Sequence, residues 1–184
     1  MLYIIGGTSR SGKTLLSKKI LAERKIPYFP LDALFCTLAE ATPELGINHA
    51  NSLKDRPLKM WKLAKPLSYF FEDQEQEYVL EGDSILPSQI KELINEGRKV
   101  KCCFLGYPNL NPDEKLQLIR KFHQGKSDWT AKQTDEQMLV MIEEMVEFSK
   151  YLKEECEKYS IKFFDVSHDF EVVNQEAFEY LFKG

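Results

Sequence analysis

The chain begins with a short apolar run, "LYII" at residues 2–5, which breaks into two glycines and then into small and polar residues. A run of good helix formers, "KTLLSKKILAER" at residues 13–24, follows the break. The residues that join the two, 7–14, read "GTSRSGKT" and match the pattern G-x-x-x-x-G-K-[ST], with an apolar strand before it and a helix after it. The chain is therefore predicted to open with a strand at 2–6, a glycine-rich loop and a helix at 13–24.

A loop of this composition suits a polyphosphate. Its glycines allow the backbone to wrap closely around an anion with several N–H groups pointing inward, and the helix that begins near Lys13 directs the positive end of its dipole to the same place. Lys13 adds a charge at the terminal phosphates, and the Thr14 hydroxyl is a ligand for Mg²⁺. A glycine-rich turn that binds nothing would need neither residue. The residues predicted to bind the nucleotide are Gly7, Thr8, Ser9, Arg10, Ser11, Gly12, Lys13 and Thr14.

Strands and helices alternate along the rest of the chain, which implies parallel strand pairing in an open, doubly wound sheet. With 184 residues and 43% hydrophobic content the chain can bury one core. The prediction is an α/β fold of the P-loop NTPase type, with a five-stranded parallel sheet, helices on both faces and a single domain over residues 1–184. Asn111 is predicted to cap one helix, and Thr134 with Gln137 another. The further strands are predicted at 27–30, 78–80, 100–105 and 161–166, and the further helices at 57–72, 88–95, 112–122, 134–158 and 170–182.

Composition and charge exclude several classes of protein. The net charge is −4, yet residues 133–184 hold 13 acidic and five basic residues, so residues 1–132 carry the positive excess expected around a small anionic ligand. No basic stripe with aromatic residues indicates a nucleic-acid surface, and no apolar run is long enough to span a membrane. Met1 leads almost directly into a strand, which leaves no room for a signal peptide. Four cysteines without a CxxC pair fit reduced thiols in the cytoplasm.

A nucleotide site by itself leaves three classes open: a phosphotransferase, a switch or motor that hydrolyses nucleotide, and a binding module without turnover. The sequence lacks the N/T-K-x-D and D-x-x-G motifs of GTPases and the LSGGQ-like signature of ABC-type ATPases, and it is shorter than an AAA-type module. The segments "GGTSRSGKT", "PYFPLDAL", "VLEGDSILP", "CCFLGYP" and "FFDVSHDFE" follow one another along nearly the whole chain. In this order they resemble the P-loop kinases of small molecules, the superfamily of nucleoside monophosphate kinases, shikimate kinase and 2-phosphoglycerate kinase.

The resemblance implies roles for three carboxylates that follow predicted strands. Asp32 would orient the hydroxyl of the phosphoryl acceptor, take its proton or touch Mg²⁺. Glu81 would hold Mg²⁺ or position a substrate hydroxyl at the carboxyl end of its strand. Asp83 would bind the substrate, and Gly82 would let the chain turn closely past the phosphates. An N-cap role for Asp32 and a turn role for Asp83 are the alternatives.

Two basic segments are assigned by the same resemblance. Residues 41–72 correspond to an acceptor-binding insertion, in which Arg56 and Lys54 would hold an anionic acceptor, since guanidinium meets carboxylate or phosphate with two parallel hydrogen bonds. Residues 120–132 correspond to a lid, in which Arg120 would neutralise charge on the transferring phosphoryl group and Gly125 would act as a hinge. An ordinary exposed helix end, where basic residues suit the dipole, also accounts for Arg120.

The sequence thus predicts a cytoplasmic kinase that uses ATP and Mg²⁺. It is expected to act on a small, anionic acceptor, to bind neither nucleic acid nor membrane, and to be a monomer or homodimer. The alternative is a P-loop NTPase with a regulatory or switch role and no small-molecule acceptor. The sequence does not name the acceptor, distinguish ATP from GTP or decide which carboxylate serves the metal.

Overall fold

The computed structural model describes residues 1–122 and 129–183. Within these residues the chain forms a five-stranded sheet in the order β2-β3-β1-β4-β5, and each strand runs parallel to its neighbours. The predicted five-stranded parallel sheet is confirmed. The strands are β1 (Leu2–Gly7), β2 (Tyr28–Pro30), β3 (Tyr78–Glu81), β4 (Val100–Gly106) and β5 (Lys162–Asp165).

Seven α-helices and two short 3₁₀ helices (Pro43–Leu45 and Trp129–Lys132) connect the strands in the described part of the chain. Each predicted helix is present, with its ends at or within two residues of the predicted ones. None of the described helices is both long enough and apolar enough to cross a membrane. The α-helices are α1 (Lys13–Arg24), α2 (Leu31–Ala41), α3 (Asp55–Glu72), α4 (Pro87–Asn95), α5 (Pro112–Lys121), α6 (Asp135–Tyr159) and α7 (Phe170–Phe182).

Local capping fixes where α5 and α6 begin. The side chain of Asn111 accepts hydrogen bonds from the amides of the two residues after Pro112. Thr134 accepts from the amide of Gln137, whose side chain accepts in return from the Thr134 amide. Both predicted caps are confirmed, because Asn and Thr satisfy amide groups that the first helical turn leaves unpaired.

The two faces of the sheet bury different side chains. Successive strand residues point to opposite faces, so Cys102 and Cys103 belong to different cores. The face with Cys103 packs against α1, α5 and α7, and the face with Cys102 packs against α3 and α4. The long helix α6 contributes apolar residues to both cores.

The segment between α2 and α3 has a small core of its own. Phe35, Ile47 and Met60 are each at most 3% exposed and pack together apart from the two main cores. This cluster fixes the start of α3, and with it Arg56, relative to α2.

The carboxyl ends of the central strands meet at one edge of the sheet. Ile5 of β1 lies opposite Glu81 of β3, and Gly7 lies opposite Leu105 of β4. The glycine-rich loop, the turn after β3 and the start of α2 therefore all leave the sheet at the same edge. Open α/β sheets bind their ligands at this edge.

Candidate active site

Two glycines shape the loop that follows β1. Gly7 has a φ of 135° and Gly12 a φ of 93°, which L side chains rarely adopt. A Cβ on Gly7 would lie 2.0 Å from the carbonyl oxygen of Leu105, and one on Gly12 would lie 2.3 Å from the ring of Phe170. The loop is therefore held tightly against β4 and α7, and neither glycine can be replaced without moving a neighbour.

The first turn of α1 is open to an anion. Gly12 is the N-cap, and no side chain of the described residues caps the amide groups that follow. The Ser11 hydroxyl is buried and, within the ranges the structure describes, has no hydrogen-bond partner. Unpaired amides and the positive end of the helix dipole together form an anion site. The loop therefore fits the phosphates of a nucleotide.

Lys13, the first residue of α1, is only 5% exposed. Its ammonium group donates to the carbonyl oxygen of Thr8 at 2.8 Å, so the cation lies across the loop. The Thr8 hydroxyl is in turn 2.8 Å from the hydroxyl of Ser149 in α6. Lys13 therefore lies against the glycine-rich loop, in a position that suits a lysine that binds phosphate. The contact between Thr8 and Ser149 joins the loop to α6.

Two further side chains hold the loop carbonyls, and no sequence pattern identified them. Tyr107, just after β4, donates its hydroxyl to the carbonyl of Ser9 at 2.7 Å. Lys115 of α5 is 9% exposed and donates to the carbonyl of Arg10 at 2.9 Å, with its ammonium group 4.0 Å from the centre of the Tyr107 ring. Burial, aided by the positive charges of Arg10 and Lys13, lowers the pKa of Lys115 to about 8.

The Lys115→Met variant is expected to bind ADP about tenfold more weakly, because it keeps the packing of the stem but removes a buried cation and the donor to the loop. Protonated Lys115 attracts phosphate and the neutral amine does not. Wild-type affinity should therefore fall as the pH rises through about 8, and the variant should lack this fall. Calorimetric titration with ADP from about pH 7 to about pH 9 measures both effects.

The control for this prediction is Lys18→Met, at an exposed position of α1 outside the proposed lid. It should bind ADP like the wild type at every pH. Equal affinity of the wild type and Lys115→Met would show that Lys115 serves only the fold.

Glu81 lies at the end of β3 and is 1% exposed. One carboxylate oxygen, Oε1, accepts from the Thr14 hydroxyl at 3.1 Å, and the other, Oε2, is buried without a hydrogen-bond partner among the described residues. Burial raises the pKa of Glu81, opposed by the Lys13 charge and the Thr14 hydrogen bond. A buried carboxylate oxygen without a partner is costly, and Oε2 fits a cation held at Thr14, bound to it directly or through a water.

No group of three or more His, Cys, Asp and Glu side chains in the described ranges forms a metal-binding cluster. Mg²⁺ needs no such cluster here. It is commonly held by one or two protein oxygens together with substrate phosphates and water. Thr14 and Glu81 therefore fit a magnesium ion that arrives with the nucleotide.

Asp32 is the second residue of α2, and Pro30 is the N-cap of that helix. The N-cap alternative for Asp32 is therefore wrong. Asp32 as a whole is exposed to solvent, although protein atoms surround one side of its carboxyl group. This burial and the Asp83 carboxylate raise the pKa of Asp32 to about 7, against the attraction of Lys13 and a hydrogen bond from the Asp83 backbone amide. A carboxylate poised near neutral pH is suited to accept a proton.

Gly82 has a packing role that the sequence did not reveal, and its predicted place beside the phosphates stays a prediction. A Cβ at this position would lie 2.9 Å from the Cβ of Leu31 and 3.4 Å from Oδ1 of Asp32. The absent side chain thus allows the start of α2 to approach the end of β3. Gly82 brings Asp32 next to Glu81 and Asp83.

Arg56 joins the predicted acceptor-binding segment to this group of carboxylates. Its Nη1 lies 3.6 Å from Oδ2 of Asp83, and its guanidinium lies over the ring of Phe35 at 4.6 Å. Within the part of the chain that is described, its Nε is buried and has no hydrogen-bond partner. Lys54, its predicted companion, places its ammonium group 4.4 Å from the centre of the Tyr151 ring. The structure therefore brings Arg56 together with Asp83, with donor capacity left for an anion.

Arg120 lies in the last turn of α5. Its guanidinium donates to the carboxylate of Asp135 at 2.8 Å and to the carbonyls of Thr130 and Gln133 at 2.8 Å each. Arg120 therefore ties α5 to the start of α6 in this structure, and its catalytic role stays a prediction. Gly125, the predicted hinge, lies outside the described residues.

Comparisons with known proteins agree with this geometry at the level of the fold. No protein-family model matches the chain, and no curated protein matches it. The fold is similar to that of shikimate kinase from Bacteroides thetaiotaomicron, with a TM-score of 0.59, 18% identity and coverage of 97% of each chain.

Two further solved structures have the same architecture. A sugar kinase from Janibacter sp. HTCC2649 has a TM-score of 0.57 and 17% identity, over 98% of this chain and 93% of that one. A gluconokinase from Sinorhizobium meliloti 1021 has a TM-score of 0.55 and 17% identity, over 97% of this chain and 90% of that one. The chain has the fold of the P-loop small-molecule kinases.

Proposed function

We propose that this protein transfers the γ-phosphoryl group of ATP to a small, anionic acceptor in the cytoplasm, as a monomer or homodimer. The observation that carries the proposal is the position of Asp32. Its carboxyl group interacts with the charge of the loop lysine Lys13, and burial together with Asp83 raises its pKa to about 7. A proton acceptor within the field of a phosphate-binding lysine is the arrangement that phosphoryl transfer to a hydroxyl requires.

Different residues of the candidate site would bind the nucleotide, hold the metal and orient the acceptor. The open amides at the start of α1 and Lys13 would bind the phosphates and balance their charge. Thr14 and Glu81 would hold Mg²⁺, which supplies charge neutralisation at the phosphate oxygens when it is bound. Asp32 would orient the acceptor hydroxyl and take its proton. Residues 41–72 would bind the acceptor, and residues 120–132 would form the lid in which Arg120 acts.

The competing function is nucleotide hydrolysis that drives a regulatory change. A kinase should release ADP slowly from ATP alone and much faster when its acceptor is present. Release of ADP in the presence of a panel of hydroxyl-bearing carboxylates, phosphates, neutral sugars and nucleosides therefore distinguishes the two. Fast release that no acceptor accelerates would favour the hydrolase.

The anionic character of the acceptor is inferred from Arg56. Its Nε is a buried donor with no partner in the described ranges, and its Nη1 is 3.6 Å from the nearest carboxylate oxygen of Asp83, beyond hydrogen-bonding distance. Buried donors in proteins are normally satisfied. A carboxylate or phosphate of the acceptor would satisfy this one.

The Arg56→Gln variant is expected to raise the acceptor KM about tenfold or more while leaving the KM for ATP nearly unchanged, because a charge-assisted hydrogen bond contributes roughly 1.5–3 kcal/mol. Steady-state kinetics with the best anionic acceptor of the panel measures both constants. Lys62→Gln, an exposed residue of the same helix, is the control. An unchanged acceptor KM in Arg56→Gln, or a neutral alcohol as the best acceptor, would contradict the assignment.

A further inference from the structure

A cavity of about 650 Å³ lies between residues 49–56 and the N-terminal half of α6. Cavities of roughly 300–1,000 Å³ hold drug-sized ligands, so this one is larger than a small sugar or hydroxy acid needs. Six of the lining residues carry its chemistry: Leu53, Lys54, Arg56, Val140, Met141 and Phe148.

The cavity adjoins both parts of the candidate active site. At one side it is lined by Arg56, which reaches Asp83 and so borders the carboxylates. Elsewhere it is lined by Met145, whose sulfur is 3.3 Å from the Tyr107 hydroxyl that binds the Ser9 carbonyl. The cavity therefore borders Arg56 beside the carboxylates, and buried Met145 separates it from the tyrosine that holds the phosphate loop.

The walls of the cavity are of two kinds. Leu53, Val140 and Met141 present apolar surface, with Val140 59% exposed, and the core residue Phe148 lies behind them at 2% exposure. Arg56 supplies positive charge next to Asp83, whereas Lys54, beside the Tyr151 ring, and the glutamates of α6 that also line the cavity are exposed to solvent. Methionine adapts to ligands of different shape. Apolar walls next to a cation bind molecules that are themselves part apolar and part anionic.

We propose that this cavity takes the body of the phosphoryl acceptor, and that the acceptor is an amphipathic molecule. An anionic group would meet Arg56, and an apolar or aromatic body would contact Leu53, Val140 and Met141. The inference rests on the proposed function and adds the acceptor's chemical class. A small hydrophilic acceptor would leave the apolar wall in contact with water and gain nothing from it.

The test uses 1-anilinonaphthalene-8-sulfonate, a fluorescent probe with a sulfonate and an aromatic body. The full-length protein should bind one equivalent with a rise in fluorescence, and saturating ADP should not displace it. The double variant Val140→Gln/Met141→Gln should bind it at least fivefold more weakly, and so should Arg56→Gln. The control is Val172→Gln in α7, which removes a valine of the same 59% exposure and should bind the probe like the wild type.

Probe binding that the double variant leaves unchanged, or that ADP competes away, would overturn the inference. A second measurement separates this failure from a failure of the proposed function. ADP release should be faster with 3-phenyllactate than with lactate, which has the same hydroxyl and carboxylate but no ring. Faster release with lactate would overturn the proposal of an amphipathic acceptor but would still support the proposed kinase activity. Absence of acceptor-stimulated release across the whole panel, with normal ADP binding, would overturn the kinase itself.

Discussion

Replacing Lys13 with alanine should lower the rate of phosphoryl transfer by on the order of 10³-fold, because the transferring group loses the buried cation that lies across the phosphate loop. The change should cost little stability. The Thr8 carbonyl loses one donor, which contributes about 1 kcal/mol, so the melting temperature should fall by only about 2–4 °C. Acceptor-stimulated ADP release and thermal unfolding measure the two effects.

Lys18→Ala is the matched control, because Lys18 is an exposed lysine of the same helix. Its rate should be that of the wild type. Activity near the wild-type level in Lys13→Ala would remove Lys13 from the phosphate site. A collapse of thermal stability would instead make it a residue of the fold.

Replacing Asp32 with asparagine should lower the rate by about 10²- to 10⁴-fold, the usual contribution of a general base, while ADP affinity stays nearly unchanged. Asparagine keeps the size and one carbonyl oxygen but cannot take the acceptor proton. Rate measurements and ADP titration on the same preparation separate the two. Glu40→Gln, near the exposed end of α2, is the control and should change neither quantity. Equal losses of rate and ADP affinity would make Asp32 a metal ligand.

The pH dependence follows from the same carboxyl group. In the proposed mechanism Asp32 acts in its ionised form, so the wild-type kcat/KM, which reports the free enzyme, should rise as the pH rises through about 7, until deprotonation of Lys115 weakens nucleotide binding above about 8. Stability should change in the opposite direction. The native state holds the Asp32 proton up to about pH 7, whereas the unfolded chain releases it near its ordinary pKa of 3.8, so the contribution of Asp32 to the free energy of unfolding falls as the pH rises between these values.

Asp32→Asn should abolish this fall. The opening of Asp32 to solvent reduces the stability effect to about 1 kcal/mol, or about 2–4 °C in melting temperature above neutral pH. Melting curves of both proteins across this pH range check the sign. A wild type that becomes more stable as the pH rises to 7, with Asp32→Asn following it, would contradict the raised pKa.

The fold follows from features that are local in the sequence. The loop pattern at residues 7–14 lies between an apolar strand and a helix, and the caps at Asn111 and Thr134 mark helix starts that the structure reproduces. Alternating strands and helices leave parallel pairing as the simple way to bury both faces of the sheet. For this reason the α/β architecture, its five parallel strands and the place of the phosphate loop were predictable from the sequence.

The surroundings of the loop depend on residues that are far apart in the chain. Lys115 looks like one more polar residue of an amphipathic helix until α5 brings its ammonium group to the Arg10 carbonyl. The pKa of Asp32 likewise depends on other elements, because burial and the Asp83 carboxylate raise it and the charge of Lys13 opposes the rise. Gly82 shows the same dependence, because the Leu31 and Asp32 side chains occupy the space that its own side chain would need.

The sequence by itself thus determined the fold class and the residues that form the phosphate loop, because helix and strand periods, caps and glycine conformations act over a few neighbouring positions. Only the tertiary structure decided which buried groups surround that loop and what charge each carries. Burial and the Coulomb interaction depend on distances in space, and these arise only when the sheet brings the carboxyl ends of its strands together.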